Sequence, residues 1–396
     1  MSLWRTLTFV VVAGGLIGLV HFYVYRRLVH DVTRSAKLRK AALAGVALVM
    51  VVFVATRLFM RVTPAPWFVP LSTIVWCWIG FAVYLFLSFG SVDGARLLRR
   101  LSARVRKRPV SGADPVSPER RLFISRAVAG GALAVSGGLT SYGFWRAFEP
   151  AQVSEIAIRL PNLPRALDGM TILQLTDLHI STVIRRPFVE ELVRRSNALK
   201  PDLVAITGDL VDGEVDALSD AVAPLRGLKS RYGTYFVTGN HDFYSGDKQW
   251  VAALSKMDMQ VLRNRYVRIG DAGASFDLVG VDDWGARQQA HGRGYNLERA
   301  IAGRDRDRDR AAVLLAHEPA NFETAVARGM GLQLSGHTHG GQLFPLTALV
   351  QLRWPRFAGL YSYGAGQLYV SRGVGFWGPP LRVGSAPEIV KVTLLA

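Results

Sequence analysis

The chain has 396 residues, of which 50% are hydrophobic, and a formal net charge of +18. Its single cysteine, Cys77, excludes an internal disulfide and a metal site built from several thiolates. The first 150 residues carry 20 of the 48 Lys and Arg but only 5 of the 30 Asp and Glu, so the basic excess lies in the N-terminal part. That placement favours an anionic membrane surface, and we expect no nucleic-acid partner.

Three long apolar stretches occupy the N-terminal part, at residues 7–25, 41–60 and 67–89. A helix needs about 20 such residues to cross a bilayer, and each stretch is close to that length. The second stretch carries only Arg57, near enough to its end for the charge to reach the headgroups. The sequence therefore predicts three transmembrane helices within residues 1–90.

Residues 91–121 form a basic connection between apolar stretches. Because Lys and Arg remain on the cytoplasmic side of a membrane protein, we expect residues 91–121 to form a cytoplasmic loop. Residues 26–40 are also rich in Lys and Arg, and the same rule places them inside and the N-terminus outside. We therefore expect a multi-pass protein of the cytoplasmic (inner) membrane.

A fourth apolar stretch lies within residues 122–150. Its centre, residues 127–145, is uncharged and rich in Gly, Ala and Ser, so it is either a transmembrane helix or a linker. The preceding residues 119–124 resemble a twin-arginine export signal, and ordinary positive charge before a helix would give the same pattern. We expect the stretch to span, which places the C-terminal domain on the outer (periplasmic or extracellular) side.

Short apolar runs alternate with helical patterns over residues 151–396, as in an α/β domain. Strands are predicted at residues 171–175, 203–207, 234–237, 276–281, 312–316 and 332–334. Helices are predicted at residues 186–199, 216–228, 248–256 and 319–328. Polar clusters follow five of these strands, at the sheet edge where sites of layered α/β folds gather.

Seven residues of these clusters have side chains that bind divalent metals. They are Asp177, His179, Asp209, Asn240, His317, His337 and His339. Imidazole and carboxylate ligands suit Mn, Fe or Zn. Two such ions about 3.5–4 Å apart hold both the attacking and the leaving oxygen of a phosphoryl group. The sequence therefore predicts a centre for two divalent metal ions, with glycines that let the backbone turn sharply beside the ligands.

The ordered motifs Asp-x-His, Gly-Asp-x-x-Asp, Gly-Asn-His-Asp, His and Gly-His-x-His resemble those of the calcineurin-like metallophosphoesterases. Residues 336–342 and 369–375 look like the bacterial, membrane-associated branch of that family. The resemblance covers about residues 153–396 and implies a two-sheet β-sandwich flanked by helices. It also implies that one metal is held by Asp177, His179 and His339, the other by Asn240, His317 and His337, with Asp209 as the bridge.

The resemblance further implies roles beyond metal binding. His241 would contact the phosphate and assist the leaving group, and Asp242 would orient His241 as the second catalytic residue. Asn240 and His241 are expected to contact the substrate. Arg372 is a further candidate for substrate binding, because its Gly-rich flanks allow close approach.

The expected function is a membrane-anchored hydrolase that cleaves a phosphodiester, phosphomonoester or pyrophosphate bond with two divalent metals. Some members of the resembled branch cleave UDP-2,3-diacylglucosamine, so a lipid-linked substrate and contact with membrane lipids are expected. Apolar residues near the ligands, including Trp354 and Trp377, fit such a substrate, although they would equally fill the core. The alternative is a non-catalytic membrane scaffold or sensor that retains the fold. A scaffold would tolerate gaps in the ligand set, and here the set is complete.

Overall fold

The computed structural model describes residues 3–59, 68–106, 117–286, 294–304 and 310–396. Its contacts divide the chain into two units. The first unit contains Met1–Trp145 and the short segment Gly378–Leu381, and the second contains Arg146–Trp377 and Arg382–Ala396.

The first unit is helical. Its helices are α1 (Leu3–Tyr25), which continues into the π-helical turn Arg26–His30, α2 (Ala36–Phe59), α3 (Phe68–Val105) and α4 (Pro118–Phe148). Polar contacts between apolar surfaces fix the packing of α1 on α3: Trp78 Nε1 donates to His21 Nε2 at 2.9 Å, and Tyr23 donates to Asp93 at 2.8 Å.

Three of the described helices are long and apolar enough to cross a membrane: Ala36–Ala55, Val69–Val105 and Pro118–Phe148. The fourth predicted stretch is therefore helical, as one of its two interpretations required. The first predicted stretch lies in α1. Residues 7–10 of that stretch lie outside the part of the chain whose side chains are described, as do residues 56–60 of the second stretch and residues 67–68 of the third. That these helices span a bilayer remains a prediction.

The predicted basic loop, residues 91–121, is helical at both ends. Helix α3 continues to Val105 and α4 begins at Pro118. Residues 95–105 are almost entirely Ala, Leu and Arg, which are strong helix formers, so the helix propagates past the apolar stretch. Residues 107–116 lie outside the described residues.

The second unit contains two six-stranded sheets. Its strands are β1 (Gln152–Arg159), β2 (Thr171–Leu175), β3 (Leu203–Thr207), β4 (Thr234–Val237), β5 (Met259–Val261), β6 (Arg265–Asp271), β7 (Ala274–Gly280), β8 (Ala312–Leu315), β9 (Leu332–Ser335), β10 (Gly359–Tyr363), β11 (Gly366–Val370) and β12 (Glu388–Leu395). The strand orders are β1-β12-β2-β3-β4-β5 and β10-β11-β9-β8-β7-β6.

Helices lie between many of these strands. They are α5 (Arg186–Ala198), α6 (Val215–Val222), α7 (Asn240–Tyr244), α8 (Asp247–Ser255), α9 (Leu297–Ala300), α10 (Phe322–Ala327) and α11 (Thr347–Arg353). The predicted helix at residues 216–228 ends early as an α-helix and continues as a 3-10 turn, Ala223–Gly227. The change coincides with Pro224, which lacks the N–H that an α-helix interior requires.

The two sheets share one apolar core. Inner-face residues of the first sheet, such as Ile172 and Tyr235, belong to the same buried cluster as Leu278 and Val313 of the second. The outer face of the first sheet packs on α5, α6 and α8, where Trp250 is the largest buried side chain. Burial on both faces explains why the central strands are continuous apolar runs.

Strands β2 to β5 are parallel to one another, and so are β7, β8, β9 and β11. The carboxyl ends of neighbouring parallel strands meet at one sheet edge, so the loops that follow them come together. The predicted two-sheet α/β sandwich is confirmed, and each of the six predicted strands is present to within two residues at either end.

Candidate metal centre

Loops from both sheets supply the predicted metal ligands. Asp177 and His179 follow β2, Asp209 follows β3, and Asn240 begins α7 after β4, all on the first sheet. His317 follows β8, and His337 and His339 follow β9, on the second sheet. The site therefore lies where the carboxyl edges of the two sheets face each other.

Five of the seven ligands have backbone φ angles in the left-handed region. The angles are 53° at Asp177, 47° at His179, 50° at Asp209, 72° at His337 and 50° at His339. Non-glycine residues rarely adopt this conformation, and such strain gathers at functional sites that the surrounding fold over-determines. The backbone is thus bent so that alternate side chains of each loop point into one space.

Glycines beside the ligands are required for two different reasons. Gly208 has a φ of 90°, the sharp turn that the sequence predicts. At Gly239 and Gly336 the reason is close approach: any Cβ there would collide with the carboxylates of Asp209 and Asp177, respectively. The two carboxylates therefore lie directly against the main chain of these glycines.

Asp177, His179 and His339 form the first ligand group. The Nε2 atoms of His179 and His339 are 3.0 Å apart, and Oδ1 of Asp177 is 3.3 Å from Nε2 of His339. These atoms all lie within 4.8 Å of one another. The grouping matches the first set implied by the family resemblance.

Asp209, Asn240, His317 and His337 form the second ligand group. Nδ1 of His337 lies 3.1 Å from Oδ1 of Asn240 and 3.2 Å from Nε2 of His317. Oδ2 of Asp209 lies 3.1 Å from Nε2 of His317 and 3.7 Å from Nε2 of His179 in the first group. Asp209 therefore faces both groups with the same oxygen, as a bridging carboxylate would.

The donor atoms fit divalent metal ions in type and spacing. Ligands at right angles around an ion at about 2.1 Å lie about 3.0 Å from one another, which is the spacing found here. Two ring nitrogens that face each other, as in His179 and His339, are both satisfied when a cation lies between them. Imidazole, carboxylate and amide oxygen together suit Mn, Fe or Zn.

Outer contacts fix which ring nitrogen faces the site. His179 donates from Nδ1 to the carboxylate of Asp212 at 3.1 Å, and His317 donates from Nδ1 to the carbonyl of Thr207 at 2.9 Å. Each contact leaves Nε2 of that ring directed at its ligand group. Metal-binding histidines in proteins are normally held in this way.

His241 is oriented by Asp212, where the sequence had suggested Asp242. Nδ1 of His241 donates to Oδ1 of Asp212 at 2.6 Å, and its backbone N–H donates to Asp209 at 2.8 Å. The buried Asp242 carboxylate accepts instead from the backbone N–H groups of Asp209 at 2.9 Å, Leu210 at 2.9 Å and Gly239 at 2.7 Å. Asp242 thus supports the loop that carries the bridging ligand.

Electrostatics favour positive charge at the centre. Burial opposes protonation of His241, but the charges of Asp212 and then Asp209 outweigh it and raise the pKa of His241 to about 9. Burial likewise opposes protonation of His317, yet Asp209 holds the pKa of His317 well above its usual value. Burial, followed by the charge of His317, lowers the pKa of His337 to about 3. The carboxylates therefore attract cations, and a metal ion would displace the proton of His317.

Arg372 lies on the loop that follows β11. Its backbone N–H donates to Glu388 at 2.7 Å, and its side chain is half-exposed, with Nη1 3.5 Å from the same carboxylate. A Cβ at Gly340 would lie 2.9 Å from Cγ of Arg372, so the arginine stem crosses the turn that carries His339. The structure brings Arg372 to the edge of the centre.

An aromatic rim borders the centre, formed by Tyr244, Trp354 and Trp377. The ring of Trp354 stands edge-on to His337 at 5.2 Å, and the ring of His241 lies 5.4 Å from Tyr244 and 6.0 Å from Trp377. Trp377 is 49% exposed and Tyr244 is 42% exposed. These side chains are at the surface, although Phe376 beside Trp377 is buried in the core.

Two site residues were missed by sequence reasoning. Asp212 is the final residue of the Gly-Asp-x-x-Asp motif, so its position in that motif was a usable signal. Arg382 is fully buried, with Nη2 3.4 Å from Nδ1 of His339, and its sequence surroundings give no comparable signal.

Comparison with known proteins agrees with this geometry. The calcineurin-like phosphoesterase family model matches residues 170–341. A bovine (Bos taurus) transmembrane protein with metallophosphoesterase domain is 34% identical over 392 residues, covering 94% of this chain and 86% of that protein. A zebrafish (Danio rerio) protein of the same description is 37% identical and covers 66% of this chain and 62% of that protein. An uncharacterised metallophosphoesterase of Helicobacter pylori is 36% identical and covers 64% of this chain and 67% of that protein.

The matched range contains all seven ligands and both members of the Asp212–His241 pair. The extent of the similarity to the bovine protein includes the helical unit as well as the metal centre. The chain is therefore a metal-dependent phosphoesterase and belongs to the calcineurin-like phosphoesterase family.

Proposed function

We propose that the protein uses two divalent metal ions, Mn, Fe or Zn, to hydrolyse a phosphodiester, phosphomonoester or pyrophosphate bond in a lipid-linked substrate at a membrane. The observation that carries the proposal is the complete pair of ligand groups that share Oδ2 of Asp209. Bound there, two ions would polarise a phosphoryl group and supply a nucleophilic water.

His241 is the proposed general acid. Its Nδ1 is committed to Asp212, so Nε2 is the nitrogen that can face a substrate. Without the charge of metal ions, Asp212 and then Asp209 raise the pKa of His241 to about 9 against the effect of burial, and the Asp212 contact still favours the protonated ring when Asp209 binds metal. A proton held at Nε2 stabilises the oxygen that leaves phosphorus. Asn240 and Arg372 would contact the same phosphoryl oxygens, and Asp242 would act through the loop of Asp209.

The surface beside the centre supports a lipid-linked substrate. The segment 340–354, which contains α11, follows His339 in the chain and ends at Trp354, whose ring contacts that of His337. Every residue of α11 is exposed or half-buried, with Leu352 81% exposed. Phe344 and Leu349 are also exposed. Exposed apolar side chains beside a site are typical of proteins that bind apolar material.

The chain connection also supports a membrane location. Only three residues separate the end of α4 at Phe148 from the start of β1 at Gln152. Multi-pass insertion in the cytoplasmic (inner) membrane, with the phosphoesterase domain on the outer side, follows from the Lys and Arg distribution. Membrane lipids are the proposed partners of a protein with this topology.

A substrate comparison tests the proposal. Full-length protein in detergent, loaded with Mn²⁺, is given UDP-2,3-diacylglucosamine, its water-soluble headgroup analogue, a generic phosphodiester and a phosphomonoester. We expect hydrolysis, with kcat/KM at least about tenfold higher for the lipid than for its headgroup analogue, equivalent to about 1.4 kcal/mol of transition-state binding. Equal rates on lipid and analogue would refute the lipid-linked substrate while leaving the phosphoesterase activity intact.

A further inference from the structure

Arg382 is a buried cation beside the metal centre. Its Nε donates to the carbonyl of Gly375 at 2.8 Å, and its Nη2 donates to the carbonyls of Arg372 at 2.9 Å and Gly373 at 3.2 Å. Its Nη1 lies 3.4 Å from the carbonyl and the hydroxyl of Ser385. The guanidinium therefore replaces its lost water with a ring of backbone acceptors.

The loop that Arg382 holds is the one that supports Asp177. Val374 donates its N–H to the carbonyl of Thr176 at 3.0 Å, and Gly375 donates to the carbonyl of Asp177 at 2.8 Å. Gly373 packs so tightly that a Cβ there would lie 2.6 Å from Cβ of Asp177. Displacement of this loop would therefore displace the Asp177 carboxylate.

Arg382 also reaches His339, from the opposite side. Ser385, which Arg382 contacts, donates its hydroxyl to the carbonyl of His339 at 2.5 Å. The link to His339 runs through Ser385, because Nη2 of Arg382, 3.4 Å from Nδ1 of the histidine, faces a second N–H donor when Nε2 binds metal. Two ligands of the first group, Asp177 and His339, are thus supported through one side chain.

The second ligand group has different supports. His317 is held by the carbonyl of Thr207, and the ring of His337 packs against Trp354. The backbone N–H of His337 also donates to the Asp177 carboxylate at 3.1 Å, which joins the two groups directly and leaves the His337 ring to its own contacts. Asp209 is held by the Asp242-supported loop. Within the described parts of the chain, Arg382 hydrogen-bonds to Ser385 and to the loop that supports Asp177.

We propose that Arg382 is a positioning residue that sets the affinity of the first metal position, formed by Asp177, His179 and His339, separately from that of the second. The inference rests on the proposed two-metal function. Outer contacts of this kind alter metal affinity by about 10–100-fold when removed. Loss of Arg382 should therefore convert a centre that fills with two ions into one that fills with a single ion at the same metal concentration.

The test is a Mn²⁺ titration of chelator-treated full-length protein, followed by metal analysis and electron paramagnetic resonance. Wild type is expected to bind two ions and give a spin-coupled signal. Arg382→Gln is expected to weaken one binding step by about 10–100-fold and to give a mononuclear signal at intermediate Mn²⁺. Arg382→Lys should fall between the two, because a point charge cannot reach all the carbonyls.

Arg304→Gln is the matched control. Arg304 is also largely buried and pairs with Asp277 of β7 at 2.7 Å. Asp277 lies opposite the first residue of β8, whereas the candidate ligand His317 follows the last. The control should lower thermal stability without separating the two binding steps. If Arg382→Gln lowered stability to the same extent and left both steps unchanged, or weakened both equally, the positioning role would be overturned.

Ser385→Ala, alone and in two double variants, keeps the test decisive if Arg382→Gln folds poorly. Ser385→Ala removes the hydroxyl bond to His339 and should weaken the same step more mildly. Combining Ser385→Ala with His339→Ala should add little to His339→Ala alone, whereas combining it with His337→Ala should weaken both positions. Additive effects in both combinations would contradict the assignment. Failure of wild type to bind two ions would instead refute the proposed function.

Discussion

Asp212 holds two histidines that face different parts of the site. It accepts from His179, whose Nε2 lies among the metal-ligating atoms, and from His241, which stands beside Trp377 at the rim. The ring planes of these histidines are nearly perpendicular, with centroids 4.7 Å apart. One carboxylate therefore couples a ligand to the proposed general acid, and substitutions can separate the two roles.

Ligand and acid substitutions should have different metal contents. Asp209→Asn and His339→Ala are expected to abolish hydrolysis and lower the bound metal, because each removes a donor from its group. His241→Ala should lower kcat by about 10²–10⁴ while two ions stay bound, because it removes the acid alone. Metal analysis of the three purified variants, with turnover measured in parallel, decides this. Equal metal loss in His241→Ala and His339→Ala would show that His241 is a ligand.

Asp212→Asn should impair both functions in part. The amide cannot stabilise a charged His241 as the carboxylate does, so kcat should fall by at least about tenfold. The contact to His179 also weakens, and the metal dissociation constant should rise by about 10–100-fold. Saturating Mn²⁺ should restore occupancy without restoring kcat. Full recovery of kcat at high Mn²⁺ would limit Asp212 to support of the metal.

Asp242→Ala should act through stability. Its carboxylate accepts from four backbone N–H groups in a buried position, and the loss of these bonds should lower the free energy of unfolding by roughly 3 kcal/mol. Denaturant unfolding of the metal-free protein measures this directly. Asp212→Asn, which keeps the shape of a more exposed side chain, is the comparison and should lower stability less than Asp242→Ala does. A fully stable Asp242→Ala would contradict the supporting role.

The order of motifs in the sequence predicted seven candidate ligands that the structure brings together, and their metal binding stays a prediction. The motif order did not predict which carboxylate the His241 ring contacts. Asp212 and Asp242 are each near His241 in the chain or in the motif pattern, and spacing alone cannot show which one its ring faces. The outcome depends on α7, in which Asp242 turns back to the N–H of Gly239. Arg382 was unpredictable for a similar reason, since its partners are backbone carbonyls that any residue could provide.

At the scale of secondary structure, the segment 340–354 connects the candidate metal ligands to the surface. It begins within the 3-10 turn His339–Gly341, contains α11 and ends at Trp354. Gln342 ties it to the opposite side of the rim, because it accepts from the N–H of Trp377 at 3.0 Å and donates to the carbonyl of Trp377 at 2.9 Å. Movement of the segment 340–354 would therefore move Trp354 beside His337 and Trp377 beside His241.

Removal of the Trp377 side chain should lower activity on the lipid substrate more than activity on its water-soluble analogue. Trp377→Ala is expected to reduce kcat/KM for UDP-2,3-diacylglucosamine by at least about tenfold and to leave the water-soluble analogue within about twofold. Tyr363→Ala is the control, because Tyr363 is 50% exposed, compared with 49% for Trp377, and lies at the end of β10 away from the ligands. The expected result is no change in either rate for the control. Equal losses on both substrates in Trp377→Ala would assign Trp377 to the structure of the loop.

Continuous apolar runs in the sequence were the reliable signal for buried β-strands. The bounds predicted for β2, β3 and β4 agree with the structure, because each strand is buried on both faces. Six strands were not predicted: β1, β5, β6, β10, β11 and β12. Of these, β1, β6 and β10 carry exposed side chains that interrupt the apolar pattern. Strand β12 pairs in parallel with β1 and antiparallel with β2, a placement that depends on chain segments more than 200 residues apart.

For the molecule as a whole, the distribution of charge determines the expected topology. The N-terminus and residues 150–396 should both lie outside the cytoplasmic membrane, since the basic connections at 26–40 and 91–121 remain inside. Protease added to intact spheroplasts should digest the phosphoesterase domain. Protection there, with digestion only after lysis, would place the domain in the cytoplasm and make α4 a non-spanning helix.

The central claim is that hydrolysis requires two divalent ions in the centre formed by the two sheets. The most direct measurement is turnover of a phosphodiester by chelator-treated full-length protein as Mn²⁺ is added, with bound metal determined at each step. We predict negligible turnover without metal, a rise that follows filling of the second position, and no turnover in Asp209→Asn at any Mn²⁺ concentration. Turnover that is independent of metal, or inactivity toward every phosphoester with two ions bound, would contradict the account, and the second result would favour a scaffold or sensor.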